Sequence, residues 1–297
     1  MGSGSFSASA YSCYKADNSL DRGISTAFTN TTLSASADIK NAKKSARTYN
    51  TNVDEKVLNV GVRECRDSEE HPNVTPIIIA FDVTGSMGRI PYAMVNDLLP
   101  KLMDQLKQIN VPDPELLFMG IGDHEYDHYP LQITQFESDT NKICDALRSI
   151  YLERGGGGND GESYLLAWIA AGYHTEIDSW YKRQKKGFLF TIGDEPNLPS
   201  VPSGALVKFL GYQSGCKSIS AEESYNKACE QYQVFHIHVN DGYNRFNESW
   251  KQILGDHVLR CDSSDIDQVI CDTIHKYMSE TQPKEEVNSS DKAQYKY

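Results

Sequence analysis

Ile77-Ile78-Ile79-Ala80-Phe81-Asp82-Val83-Thr84-Gly85-Ser86-Met87-Gly88 is the stretch that decides the fold. It starts as an unbroken apolar run, the pattern of a strand buried on both faces at the centre of a parallel sheet. The run stops at Asp82, and oxygen-bearing side chains follow at alternate positions: Asp82, Thr84 and Ser86. Gly85 and Gly88 allow the backbone to turn tightly between and after them. Ile90-Pro91 then opens a helical pattern, with Pro91 suited to a first turn. One carboxylate and two hydroxyls therefore share a loop beyond the carboxyl end of a central strand, where open α/β sheets place their ligands. A donor set made only of oxygen suits a hard cation, Mg²⁺ or Mn²⁺, better than zinc.

Outward from that stretch, apolar runs alternate with amphipathic segments, which predicts a doubly wound α/β fold with a mostly parallel sheet. Strands are expected at about 76–82, 116–121, 187–192 and 234–239, and Leu131 to Phe136 as an antiparallel edge strand after a short loop. A helix is expected over about 90–109, kinked or split by Pro100. Asp139 is the expected cap of the next helix. Further helices are read from Leu165, over Ser203–Leu210, Ala221–Tyr232 and Asn247–Leu254, and from Asp265 to Met278. Residues 1–73 read as a polar N-terminal extension. It carries an optional edge strand over 57–62, followed by a mixed-charge linker around Arg63–Glu70. Residues 74–279 form the domain, and 280–297 a disordered polar tail.

Two other loops stand out. Asp123-His124-Glu125-Tyr126-Asp127-His128 follows the second strand and reads mainly as a hydrated turn. Asp123 is set apart as a candidate metal ligand, because it directly follows the strand and stands at the same sheet edge as Asp82 if the two strands run parallel. Gly155-Gly156-Gly157-Gly158 precedes a helix and could cradle a phosphate, yet no Gly-Lys-Ser/Thr follows, so a P-loop is not expected.

Asp82-Val83-Thr84-Gly85-Ser86 resembles the Asp-x-Ser-x-Ser signature of von Willebrand factor A domains, with Thr84 in place of the first serine. The resemblance spans about residues 74–279. It implies a Rossmann-like sheet with a metal-ion-dependent adhesion site at its carboxyl edge. In that family a second loop, a glycine turn before a helix, supplies a Thr or an acidic residue. Here the Thr is missing, and Asp160 or Asn159 stands in. The third motif is an Asp at the end of a later strand. Gly193-Asp194 carries it one residue late. The resemblance also implies binding rather than catalysis, with a partner protein's Asp or Glu completing the coordination. For intracellular bacterial or phage members, it implies a multiprotein assembly, for instance with an AAA+ ATPase.

Composition narrows the classes. The 297-residue chain holds 29 Lys+Arg against 41 Asp+Glu, a net charge of −12. Nucleic acid and anionic membranes would repel it. No apolar run reaches the roughly 18 residues of a membrane span, and the N-terminus has no secretory pattern. Seven cysteines without a Cys-x-x-Cys pair read as reduced thiols in a cytoplasmic protein. His236 and His238 share one strand face, where packing is the expected role. The rival functions are a metal-dependent phosphohydrolase with Asp82 as nucleophile and a nucleotide-binding module using the glycine run. Against the first, Thr84 stands where such an enzyme needs an acid/base carboxylate. Against the second, no strand immediately precedes the glycines.

Overall fold

The computed structural model describes residues 62–94, 98–153, 158–246 and 248–281. Its strands are β1 (Arg63–Cys65), β2 (Thr75–Asp82), β3 (Pro114–Ile121), β4 (Leu131–Ile133), β5 (Thr175–Ile177), β6 (Gly187–Gly193), β7 (Ser200–Val201), β8 (Ile219–Ser220), β9 (Tyr232–Val239) and β10 (Val258–Cys261). The helices are α1 (Ile90–Ala93), α2 (Leu99–Gln108), α3 (Thr140–Ser149), α4 (Leu165–Tyr173), α5 (Asp178–Arg183), α6 (Ser203–Leu210), α7 (Ala221–Ala228), α8 (Ser249–Leu254) and α9 (Ile266–Thr281).

Among the described residues six strands form the main sheet in the order β10-β9-β6-β2-β3-β4, parallel except for the β3–β4 pair. The chain leaves β2 toward β3 on one side and returns through β6 to the other. The order therefore reverses between β2 and β6, and that switch point is where such sheets bind ligands. Register brings the carboxyl ends level: Asp82 faces Ile121, Phe81 faces Ile192, and Gly193 faces His238.

Both faces of β2 are buried, as its unbroken apolar run requires. Ile77, Ile79 and Phe81 pack with Leu102 and Leu106 of α2 and Ile266, Ile270 and Ile274 of α9. Ile78 and Ala80 pack with α4 on the other face. Every residue of α4 from Leu165 to Gly172 is buried, because α7 covers its outer side. At Gly172 a Cβ would lie 2.8 Å from Lys227 Cγ and 3.0 Å from the Ala228 backbone nitrogen, so the close helix contact excludes a side chain there. The Asp139 side chain accepts from Asn141 N and Lys142 N, capping α3 as expected.

Several boundaries differ from the sequence reading. The helix expected over 90–109 is two helices, with Pro100 in the first turn of α2, where its missing N–H is harmless. The edge strand stops at Ile133; beyond it Thr134 N donates to the Phe118 carbonyl, and Glu137 exchanges both backbone bonds with Leu116 as an isolated bridge. The helix expected to reach Tyr232 ends at Ala228, and Tyr232 opens β9. The mixed-charge segment read as a linker is built into the domain. Its β1 pairs in parallel with β5, and Cys65 is fully buried. Arg66 bonds Glu64, Glu176 and Asp178, while Asp67 pairs with Arg183 at 2.6 Å. The optional strand at 57–62 lies outside the described residues apart from Val62, and so does the tail beyond 281. No helix among the described residues is long and apolar enough to cross a membrane.

Candidate metal centre

The first half of the site is built by β2 and the turn after it. Asp82 is fully buried at the end of β2. Its Oδ1 accepts from Thr84 N at 2.7 Å and from Thr84 Oγ1 at 2.6 Å. A short 3₁₀ turn over Gly85–Met87 then carries Ser86 back, leaving its Oγ 3.2 Å from Thr84 Oγ1. The turn closes at Gly88, whose φ of 52° suits glycine.

The second half comes from the end of β6. Asp194 is fully buried, and its Oδ1 accepts from Ser86 Oγ at 2.9 Å. The loop after β9 clamps the same residue: Tyr243 N donates to Asp194 Oδ2, and Arg245 N donates to the Asp194 carbonyl at 2.8 Å. Gly242 lies so close that a Cβ would sit 2.6 Å from Asp194 Oδ2. Tyr164, at the head of α4, completes the set by donating its OH to Asp82 Oδ2 at 2.9 Å.

Carboxyl groups are concentrated here, and burial keeps protons on them. Burial, reinforced by the nearby Asp194 carboxylate, pushes Asp82 up to about 7 against the Thr84 and Tyr164 hydrogen bonds. Burial raises Glu162 to about 10, with Asp82, Asp127, Asp123 and Glu195 adding to it. Burial likewise raises Asp127 to about 6 and lifts Asp123. Arg245 lies at this edge, 2.7 Å from Asp160 and 3.4 Å from Glu195.

A hard divalent cation fits this cluster. Its donors are two buried carboxylates joined by two hydroxyls, all oxygen, at the switch point. Among the described residues no three His, Cys, Asp or Glu side chains converge to hold a metal by themselves. The hydroxyls of Thr84 and Ser86 are therefore needed as donors. Asp82, Thr84, Ser86 and Asp194 would hold the ion.

The structure brings those four expected residues together and separates the other three. Asp123 is buried at the end of β3, with Oδ1 accepting from Glu125 N at 2.8 Å and Oδ2 without a partner. It shares the edge but makes no hydrogen bond to the cluster. The Asp160 side chain is 95% exposed and is held by Arg245. Asn159 donates to Glu125 Oε2 at 3.3 Å. Asp160 thus lies in solvent and Asn159 turns toward Glu125, whereas the residues that follow, Gly161 to Tyr164, are buried, and the sequence reading passed over Glu162 and Tyr164. The clamp at Gly242 and Tyr243 was also missed. Its signal was Asn240-Asp241-Gly242, a turn sequence at the carboxyl end of a buried strand. His236 stacks on Trp250 with centroids 3.6 Å apart, and His238 bonds Asn244 at 2.9 Å, so both histidines have the packing role expected of them. Burial holds both below the usual histidine range.

Fold and site together define a doubly wound α/β protein with an acidic, hydroxyl-bridged cleft at its switch point. No family model matches the sequence, and no curated protein matches it. Solved structures resemble its fold. One is the vWF domain of the type V pili tip protein Mfa5 from Porphyromonas gingivalis, at 11% identity and a TM-score of 0.45 over 72% of this chain and 97% of that one. Another is proximal thread matrix protein 1 from the mussel byssus, with a zinc-occupied MIDAS motif, at 13% identity and a TM-score of 0.45 over 72% of this chain and 50% of that one. A third is the pilus adhesin SpaC from Lactobacillus rhamnosus GG, at 11% identity and a TM-score of 0.45 over 73% of this chain. This chain spans 31% of the SpaC chain.

Proposed function

We propose that this protein is a cation-dependent protein-binding module. The observation that carries the reading is the hydroxyl bridge between two buried carboxylates, Asp82 and Asp194, through Thr84 and Ser86. Asp82, Thr84, Ser86 and Asp194 hold Mg²⁺ or Mn²⁺, and the bound ion offers a position that a partner's carboxylate completes. The partner is a protein presenting an exposed Asp or Glu, within a multiprotein assembly. Among the described residues all six cysteines are free thiols, which fits work in the reducing cytoplasm.

Binding is favoured over phosphoester hydrolysis because the hydroxyl two residues after Asp82 donates to it. A hydrolase would need a carboxylate there to move a proton. Calorimetric titration of Mg²⁺ and Mn²⁺ into wild type and Asp82→Ala tests the reading, with a phosphoester turnover assay alongside. Metal binding by wild type alone is the expected result. Equal affinity in the two proteins would remove the site assignment. Metal-dependent turnover lost in the variant would make the protein a phosphohydrolase.

A further inference from the structure

We propose that Glu162 is the carboxylate that the glycine-rich loop contributes to the cation centre, in place of Asp160, and that it acts by holding the water shell of the hydrated ion beside Asp82. The inference rests on the reading of the Asp82–Asp194 cluster as a divalent-cation site.

Placement comes first. Glu162 N donates to the Pro196 carbonyl and Leu198 N to the Glu162 carbonyl, both at 2.9 Å, so this residue is pinned to the loop that begins at Asp194. The next residue is pinned to the loop after β3. Ser163 N donates to the Gly122 carbonyl at 3.2 Å, and His124 N to Ser163 Oγ at 3.0 Å. Two residues on, Tyr164 donates to Asp82. Glu162 is therefore set among the three loops that carry Asp194, Asp123 and Asp82. Gly161 makes the close approach possible, since a Cβ there would lie 2.5 Å from the Pro196 carbonyl oxygen.

Chemistry comes second. Glu162 is 5% exposed, yet its Oε2 has no hydrogen-bond partner. Among the described residues no basic side chain pairs with it. Burial holds a proton on it, and the neighbouring carboxyl groups of Asp82, Asp127 and Asp123 add to that. A buried carboxylate facing other carboxylates is stable only when a proton or a cation compensates it. Among the described residues no three acids converge on one point, so Glu162 would act on the ion through its waters. Mg²⁺ keeps several waters in sites of this kind, and a carboxylate accepting from them is the matching acceptor. Asp160 has none of these properties: it is in solvent and already paired.

The experiment titrates Mn²⁺ calorimetrically into wild type, Glu162→Gln, Glu162→Asp and Asp160→Asn, and melts each at pH 7.5 with and without Mn²⁺. In Glu162→Gln, affinity should fall by about tenfold, the lower end for groups that orient a metal's ligands. The metal-free melting temperature should rise, so the Mn²⁺-induced shift shrinks. Glu162→Asp should keep part of the affinity, and Asp160→Asn all of it. A purely structural Glu162 would instead lower the metal-free melting temperature on substitution, which overturns the proposal. So does undiminished Mn²⁺ affinity in Glu162→Gln, or an equal loss in Asp160→Asn. If wild type binds no Mn²⁺, the cation-site reading falls together with this one. If wild type binds and Glu162→Gln binds equally, only this one falls.

Discussion

Ser86 donates a 2.9 Å hydrogen bond to Asp194, 108 positions away along the chain. That bond joins the turn after β2 to the end of β6 across the strand-order reversal. It stands where a shared cation would tie the same two loops together. Substitution of Ser86 by Ala removes both the bond and one donor. Mn²⁺ affinity by calorimetry should fall by at least about tenfold. Ser86 is only half-buried, so the metal-free protein should lose no more than about 1.5 kcal/mol in urea unfolding.

Proton competition gives a second expectation. Asp82 sits at about 7 in the folded, metal-free protein, and a cation must displace that proton to bind. Below pH 7, Mn²⁺ affinity should drop by at least about tenfold per pH unit, because Asp82 and also Glu162, raised to about 10, give up protons when the ion binds. Calorimetry in two buffers of different ionisation enthalpy counts the protons directly. A flat affinity between pH 6 and 8 would remove Asp82 from the coordination.

Stability should respond to pH through groups beside the site as well. Burial, with Asp127 adding to it, raises Glu153 to about 7 from 4.5, and burial raises Asp127 to about 6 from 3.8. A folded-state value above the unfolded one means that the folded protein binds the proton more tightly. The stabilisation is complete below about pH 4 and is lost as pH rises through 6 to 7. Metal-free protein should therefore resist urea better at pH 5 than at pH 8. Glu153→Gln keeps an acceptor for Tyr129 N, which now donates to Glu153 Oε1 at 2.8 Å. It should be more stable than wild type at pH 8 and equal to it near pH 4.

The clamp on Asp194 can be tested by its one bare backbone position. In Gly242→Ala the new Cβ would meet Asp194 Oδ2 at 2.6 Å and its Cβ at 2.7 Å. Something must shift, at a cost of about 1–3 kcal/mol. The expected readouts are a lower melting temperature and weakened Mn²⁺ binding together. Gly204→Ala, with nothing within 4 Å of its Cβ position, is the silent control.

What the sequence revealed follows physical lines. The central strands were readable because strands buried on both faces become unbroken apolar runs, and the Asp82 loop because its donors alternate within five residues. Asp139 was readable because a cap acts within three residues. β1 and β5 were not, since three-residue strands carry no period and Arg63–Glu70 has the charge pattern of a linker. The choice between Asp160 and Glu162 was equally hidden. Which acid of a glycine-rich turn faces inward depends on the Pro196 carbonyl and on Arg245, both distant in the chain. The clamp on Asp194 was hidden for the same reason.

Trp250 has a further consequence. Its ring lies flat against His236 and meets Tyr164 edge-on at 5.4 Å, and its Nε1 donates to the Glu195 carbonyl at 3.2 Å. One indole thus touches the phenol bound to Asp82 and the backbone next to Asp194. The protein carries three tryptophans, and this one is wired to both halves of the cleft. Its fluorescence is a built-in optical gauge: a shift in either loop changes the emission of the unlabelled protein, and a partner's arrival can be timed by stopped flow.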